Sequence, residues 1–177
     1  AAGTIPVVVA GLGFKDIIKT DAREIWLIGT ALIILAIGLY ASEKLSKQSR
    51  QIGELNFLQI QLIGLTQALA LIPGCSRSGS TIMGGMIVGL KREEAARFSF
   101  LLGIPAILGS GIYELVVLFE KGINSSEYQN LIVGILASFV VGYLSIEFLL
   151  RFLRLHGTLL FVIYRIVLGA GILIFLV

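Results

Sequence analysis

Between positions 73 and 81 the chain reads Pro-Gly-Cys-Ser-Arg-Ser-Gly-Ser-Thr, inside otherwise apolar sequence. This places one guanidinium, Arg77, among the hydroxyls of Ser76, Ser78, Ser80 and Thr81, with Gly74 and Gly79 beside them. An arginine at the centre of a membrane helix costs about 2.5–3.5 kcal/mol on a translocon scale, so such residues face an internal cavity and take a partner. No acidic residue lies between Glu54 and Glu93, which makes a bound anion the economical partner. Gly74 and Gly79 allow tight turns and close backbone approach, Ser78 to Thr81 are placed to cap a following helix, and its N-terminal N–H groups favour phosphate. Arginine adds a planar fork for phosphate oxygens. The chemistry implied is binding of a phosphate or pyrophosphate at membrane depth through Gly74, Arg77, Ser78, Gly79 and Ser80. The alternative is a structural turn whose arginine snorkels or bonds backbone carbonyls.

Such a segment needs a membrane around it, and the composition supplies one. Of 177 residues, 56% are hydrophobic and 14% charged, and the mean hydropathy is +0.96, against roughly 25% charged in soluble domains. Disorder, collagen-like repeats, a disulfide scaffold and a soluble enzyme are excluded on these grounds. The net charge of +3 is spread over short joints between apolar blocks and not along one stripe, so no nucleic-acid partner is expected. The lone Cys75 says nothing of the redox compartment.

The elements that must hold the segment read as an all-α, polytopic helical bundle. Residues 1–14 look like the tail of a span whose upstream part is missing. A joint at Lys15 to Glu24 precedes a span at 25–41, with Trp26 and Tyr40 at its two ends, where aromatic residues belong. The polar stretch 42–56 divides the chain into the end of one half, 1–56, and a second half, 57–177. In the second half, spans are expected at 98–119, 129–150 and 158–177. One straight helix over 57–90 would run about 51 Å, too long for a core of roughly 30 Å. Two short helices, 57–72 and 81–90, meeting at a mid-membrane break and leaving by the face they entered, fit better. The Lys/Arg bias between joints is eight against four whether 57–90 re-enters or spans, so it orients either arrangement without choosing between them.

The stretch Gly64-Leu-Thr-Gln-Ala-Leu-Ala-Leu-Ile-Pro-Gly-Cys-Ser-Arg-Ser-Gly-Ser-Thr81, with Gly84-Gly85 and Arg97-Phe-Ser-Phe-Leu-Leu102, closely resembles the second signature of undecaprenyl-diphosphate phosphatases of the bacitracin-resistance type. The similarity runs from Ile5-Pro-Val-Val-Val-Ala-Gly11 to Ile163-Tyr-Arg165. The resemblance implies an integral enzyme of the bacterial plasma membrane, built of two inverted repeats, each with a re-entrant pair and three spans. Such an enzyme removes the terminal phosphate of undecaprenyl diphosphate, recycling the carrier for peptidoglycan synthesis and conferring resistance to bacitracin. It implies a polyprenyl diphosphate and membrane lipids as partners, a divalent cation (Mg²⁺ or Ca²⁺), and a site open to the outer, periplasmic face; a homo-oligomer is left open. Carried over, Ser76, Arg77 and Thr81 fall on active-site positions, Arg77 holding the diphosphate and Ser78 supporting it. The family's other signature, an acidic E-x-x-x-E stretch and a Pro/Ser-rich segment ending in histidine, is absent. The base or nucleophile and the metal ligands are therefore expected outside this chain, with no metal site within it, and the chain alone is expected to be inactive.

The remaining polar residues receive plainer readings. His156, beside Arg151 and Arg154, is expected at the membrane interface, and Cys75 as filler beside the turn. Ser76 has no base within ten residues to activate it as a nucleophile. Glu114 and Glu147 are expected to be interfacial. Arg165 lies about 11 Å into its block and needs a partner, for which Glu147 is the expectation. Glu93 and Arg97 are set for an i,i+4 pair on a solvated first turn, and Gly84, Gly85, Gly89, Gly103, Gly109 and Gly111 for close helix packing. A transporter or flippase holding an anion at broken helices stays open as a second class. A purely structural subunit leaves Arg77 unexplained.

Overall fold

The computed structural model describes residues 2–13, 24–122 and 125–176; the joint expected at Lys15 to Glu24 falls outside them apart from Glu24. In an apolar solvent every backbone N–H and C=O must find its partner within the chain, which leaves helices as the available answer for long apolar blocks. The described residues form seven α-helices: α1 Ile5–Gly13, α2 Ile25–Leu45, α3 Phe57–Ala68, α4 Arg77–Ile87, α5 Arg92–Lys121, α6 Ser125–Leu155 and α7 Leu159–Phe175. Three segments, Ile25–Leu45, Arg92–Glu120 and Tyr128–Leu155, are long and apolar enough to cross a membrane. Each runs beyond the apolar block that announces it, because Lys44, Glu93 and Arg154 at the helix ends carry their charge outward without stopping the helix.

The segment 57–90 is broken, as its length requires, but the break lies earlier than the expected 73–80. A 3₁₀ turn at Leu69–Leu71 ends α3, and α4 already begins at Arg77. The helix cap is Ser76, whose hydroxyl accepts the Gly79 N–H at 3.1 Å, and not the expected Ser78 to Thr81, which lie within the helix.

Three joints meet at one end of the bundle. The Arg50 N–H donates to the Gly89 carbonyl at 2.9 Å and the Lys91 N–H to the Arg50 carbonyl at 3.1 Å, so the joint that precedes the broken pair lies beside the residues that follow α4. Ser46 at the end of α2 donates its hydroxyl to the Met86 carbonyl. Glu43 accepts from Arg92 Nη1 at 2.7 Å, from the Thr158 N–H at 2.8 Å and from the Thr158 hydroxyl. Arg154 grips Glu93 through both Nε and Nη2. The expected Glu93–Arg97 pair is thereby replaced, since a bidentate guanidinium from another helix outcompetes a weak i,i+4 contact. The Ile52 N–H bonds Glu94 at 3.0 Å, so the first turn of α5 is a knot of tertiary contacts and not the solvated turn expected.

From this knot α2 and α7 run antiparallel. Thr158 sits by Glu43 at one end, and Gly29 and Gly169 touch near the other: a Cβ on Gly169 would fall 2.8 Å from the Gly29 carbonyl oxygen. Small residues at such a crossing let two backbones approach in lipid. The buried stripe of α7 is Val162, Arg165 and Gly169. The core lies where α4 packs against α2, α3 and α5, around Ile63, Met86, Leu90, Ala95, Ala96 and Leu102. By contrast α6 is exposed along most of its apolar length, as a surface facing lipid would be.

Candidate anion site at the start of a half-length helix

The cap of α4 sits at the mid-depth of the bundle. Leu35 is the central residue of α2, and a Cβ on Gly79 would lie 3.5 Å from its Cδ2. Gly74 makes the approach possible. Its φ is +90°, and a side chain there would put Cβ 2.7 Å from the Ile28 carbonyl oxygen, so only glycine fits against α2. The chain thus turns beside the first turns of α2 and starts a new helix halfway along it.

Ser76 and Ser78 present hydroxyls 3.2 Å apart to a cavity of about 330 Å³. Gly79, Tyr164 and Arg165 complete its polar end, and Ile82, Leu149 and Phe161 stand in its apolar wall. Arg77 extends the other way, toward α5. Its guanidinium covers Gly103, where a Cβ would come within 2.6 Å of Nη2 and 2.9 Å of both Cζ and Nη1. Among the described residues it forms no ion pair.

Two of the remaining candidates are packed inside. Thr81 is 1% exposed; its hydroxyl lies 2.9 Å from the Arg77 carbonyl oxygen, to which it donates, and 2.5 Å from the Ser99 hydroxyl. It braces the turn that carries Arg77 from beneath. Ser80 is fully buried and its hydroxyl has no partner among the described residues. The Ser76 hydroxyl bonds the Gly79 N–H and Ser78, neither of them a base. Cys75 lines a separate, apolar space beside Leu35 and Met83. His156 stacks on Phe152 at the end of α6, ring centres 4.7 Å apart, at the level of the joints and away from the cap of α4.

Arg165 departs from expectation. Glu147 is taken by Arg151 at 2.6 Å, one turn along the same helix. Arg165 instead lies on the stripe of α7 that packs against α2, between the Thr158 and Gly169 contacts, and its Nη2 donates to the Gly74 carbonyl at 2.8 Å. Sequence reasoning missed this placement, although the i, i+3, i+7 spacing of Val162, Arg165 and Gly169 was its signal. Ser99, the partner of Thr81, had no such signal. Among the described residues no three His, Cys, Asp or Glu side chains converge, so they form no cage for the Mg²⁺ or Ca²⁺ that the resemblance implies.

The sequence matches the family described as bacitracin resistance protein BacA over residues 1–171. It is 48% identical over 174 residues to an undecaprenyl-diphosphatase of Mycolicibacterium smegmatis, covering 97% of this chain and 63% of that protein. It is 47% identical to proteins of the same name from Mycolicibacterium vanbaalenii and Chloroherpeton thalassium, over 177 and 181 residues, covering 98% of this chain and 64% of each. The chain spans just under two thirds of the length of these relatives.

Proposed function

The chain belongs to the bacitracin resistance protein BacA family, and from that premise we propose that it supplies the diphosphate-binding half of a membrane phosphatase that converts undecaprenyl diphosphate to undecaprenyl phosphate and phosphate. The observation that carries this reading is the start of α4 at mid-depth, capped by Ser76, where Ser76 and Ser78 present hydroxyls and Arg77 extends from the first turn with no ion pair among the described residues. Phosphoryl transfer asks a protein chiefly for positioning and for neutralisation of charge on the transferring group. The first N–H groups of α4 and the two serine hydroxyls orient the diphosphate, Arg77 offsets the charge of its terminal group, and Thr81 fixes the turn from which Arg77 projects. Water then adds to the terminal phosphorus, the bond to the bridging oxygen breaks, and the lipid leaves as its monophosphate. The base that takes the proton of that water, and the ligands of any divalent cation, belong to the length of the relatives that this chain does not span.

The same reading makes 57–90 a re-entrant pair, supported by the neighbouring positions of Arg50 and Leu90 and by the meeting of three joints at one end. Those joints hold eight of the Lys/Arg residues, and by the positive-inside rule this supports a cytoplasmic end there, with the cap of α4 opening outward across a bacterial plasma membrane as the resemblance implies. The two inverted repeats implied by the resemblance belong to the longer protein, with 57–177 as the second.

The test is phosphate release from a polyprenyl diphosphate in detergent, by this chain and by a version extended to the length of its relatives. Release by the extended protein, abolished by Arg77→Ala, is the expected result. Movement of the anionic lipid between leaflets without hydrolysis would make the protein a carrier instead.

A further inference from the structure

Arg165 is 8% exposed and lies at the depth of the α4 cap. A guanidinium has five N–H donors; one is on the Gly74 carbonyl, and Nε is buried with no acceptor among the described residues. No carboxylate among the described residues pairs with it, since Glu147 and Glu43 are held by Arg151 and Arg92. A buried charge left in this state is strongly unfavourable unless something else supplies the counter-charge.

The cavity supplies the room. Arg165 lines it together with the hydroxyls of Ser76 and Ser78, and beyond this polar end its wall is apolar but for Thr158, whose hydroxyl is taken by Glu43. Arg77 takes no part in that lining. Two guanidiniums therefore flank the start of α4, one toward α5 and one from α7, and the second adjoins an apolar wall able to accept a hydrocarbon chain.

We propose that Arg165, Ser76 and Ser78 form a second oxyanion subsite, which holds the lipid-linked phosphoryl group of the substrate, the one that remains on the product, while Arg77 serves the terminal group. The ligand class is a phosphate carried on a long hydrocarbon chain. The assignment rests on the phosphatase reading, and deepens it by giving each phosphoryl group its own arginine.

The test measures binding to the extended protein in detergent with three probes: farnesyl phosphate, farnesyl diphosphate and inorganic phosphate. Arg165→Gln is expected to weaken farnesyl phosphate by about tenfold or more, the scale of one charge-assisted hydrogen bond. Arg77→Gln is expected to leave farnesyl phosphate within about threefold and to weaken the diphosphate by about tenfold. Arg165→Lys, which keeps the charge and a donor for Gly74, should fall between wild type and Gln. Should the Gln variant fail to fold, the Ser76→Ala/Ser78→Ala pair removes the other donors of the subsite and should lower farnesyl phosphate affinity in the same direction. Unchanged farnesyl phosphate binding in the Arg165 variants overturns the proposal. So does an equal loss of all three probes with a lowered melting temperature, the mark of a purely structural arginine. Inorganic phosphate bound as tightly as farnesyl phosphate, and equally dependent on Arg165, would assign the subsite to released phosphate and also overturn it. Hydrolysis by the wild-type preparation decides the phosphatase reading separately.

Discussion

Gly103→Ala separates the site from the fold. The added Cβ would meet both Nη atoms and the central Cζ of the Arg77 guanidinium at 2.6 to 2.9 Å, where ordinary contacts need about 3.5 Å. The head must retreat by roughly 0.6–0.9 Å, enough to carry a well-placed hydrogen bond past its useful range. One charge-assisted bond to a phosphoryl oxygen contributes about 1.5–3 kcal/mol, so kcat/KM should fall by roughly 10- to 150-fold. The fold should not suffer. The obstructed group is the far end of a flexible side chain, and alanine in a helix interior gains about 0.5–1 kcal/mol over glycine. The assay is phosphate release from farnesyl diphosphate by the extended protein, with the melting temperature in detergent taken on the same sample. Gly109→Ala, whose Cβ meets nothing within 4 Å, is the control. Activity of Gly103→Ala within about threefold of wild type, less than half a tenfold step in free energy, would refute the claim that the Arg77 head works from where the structure puts it.

Glu43→Gln is expected to cost about 2 kcal/mol, below the 3–5 of a fully buried broken pair because the Arg92 side chain is 30% exposed; adding Arg92→Met should restore part of the loss in a denaturation curve. Equal stability of Glu43→Gln and wild type would remove the knot of joints as a stabilising feature. Thr81→Val leaves the Ser99 hydroxyl buried without its partner and should cost about 1–3 kcal/mol. Ser99→Ala added to it should recover part of that loss, and strict additivity of the two changes would contradict the pairing.

The apolar blocks were legible because the bilayer imposes both their length and their helical state, and the break at 57–90 because no single helix of that length fits. The guanidinium in the gap was legible for the same reason: its cost in hydrocarbon demands a partner. What the sequence hid were choices among partners. Glu93 had Arg97 within i,i+4 reach and took Arg154 from α6; Arg165 had Glu147 on an adjacent span and took a backbone carbonyl of the broken segment. Both outcomes depend on which helix face packs inward. The cap was misread by a few residues because serines at 76, 78 and 80 all have the chemistry of a cap. Only the positive φ of Gly74 and the Ile28 carbonyl against it fix where the helix starts.

The knot at the end of the bundle and the site at its centre are one construction. Leu90 is pinned beside Arg50 by backbone hydrogen bonds on either side, and from there the chain runs back through α4 to Ser76. The 11 residues of α4 span about 16 Å at ~1.5 Å per residue, close to half of a roughly 30 Å hydrocarbon core. The length of α4 is therefore a ruler: anchored where charge and water are available, it sets its other end at the depth where an unsatisfied helix N-terminus is most costly. At that depth the exposed N–H groups and two arginines have little water to compete for an anion, and the attraction between them is strongest where the dielectric is lowest. The ion pairs of Glu43 and Glu93 and the Ile52–Glu94 hydrogen bond make no contact with the cap of α4, yet by fixing the near end of that helix they determine where its far end meets a phosphate.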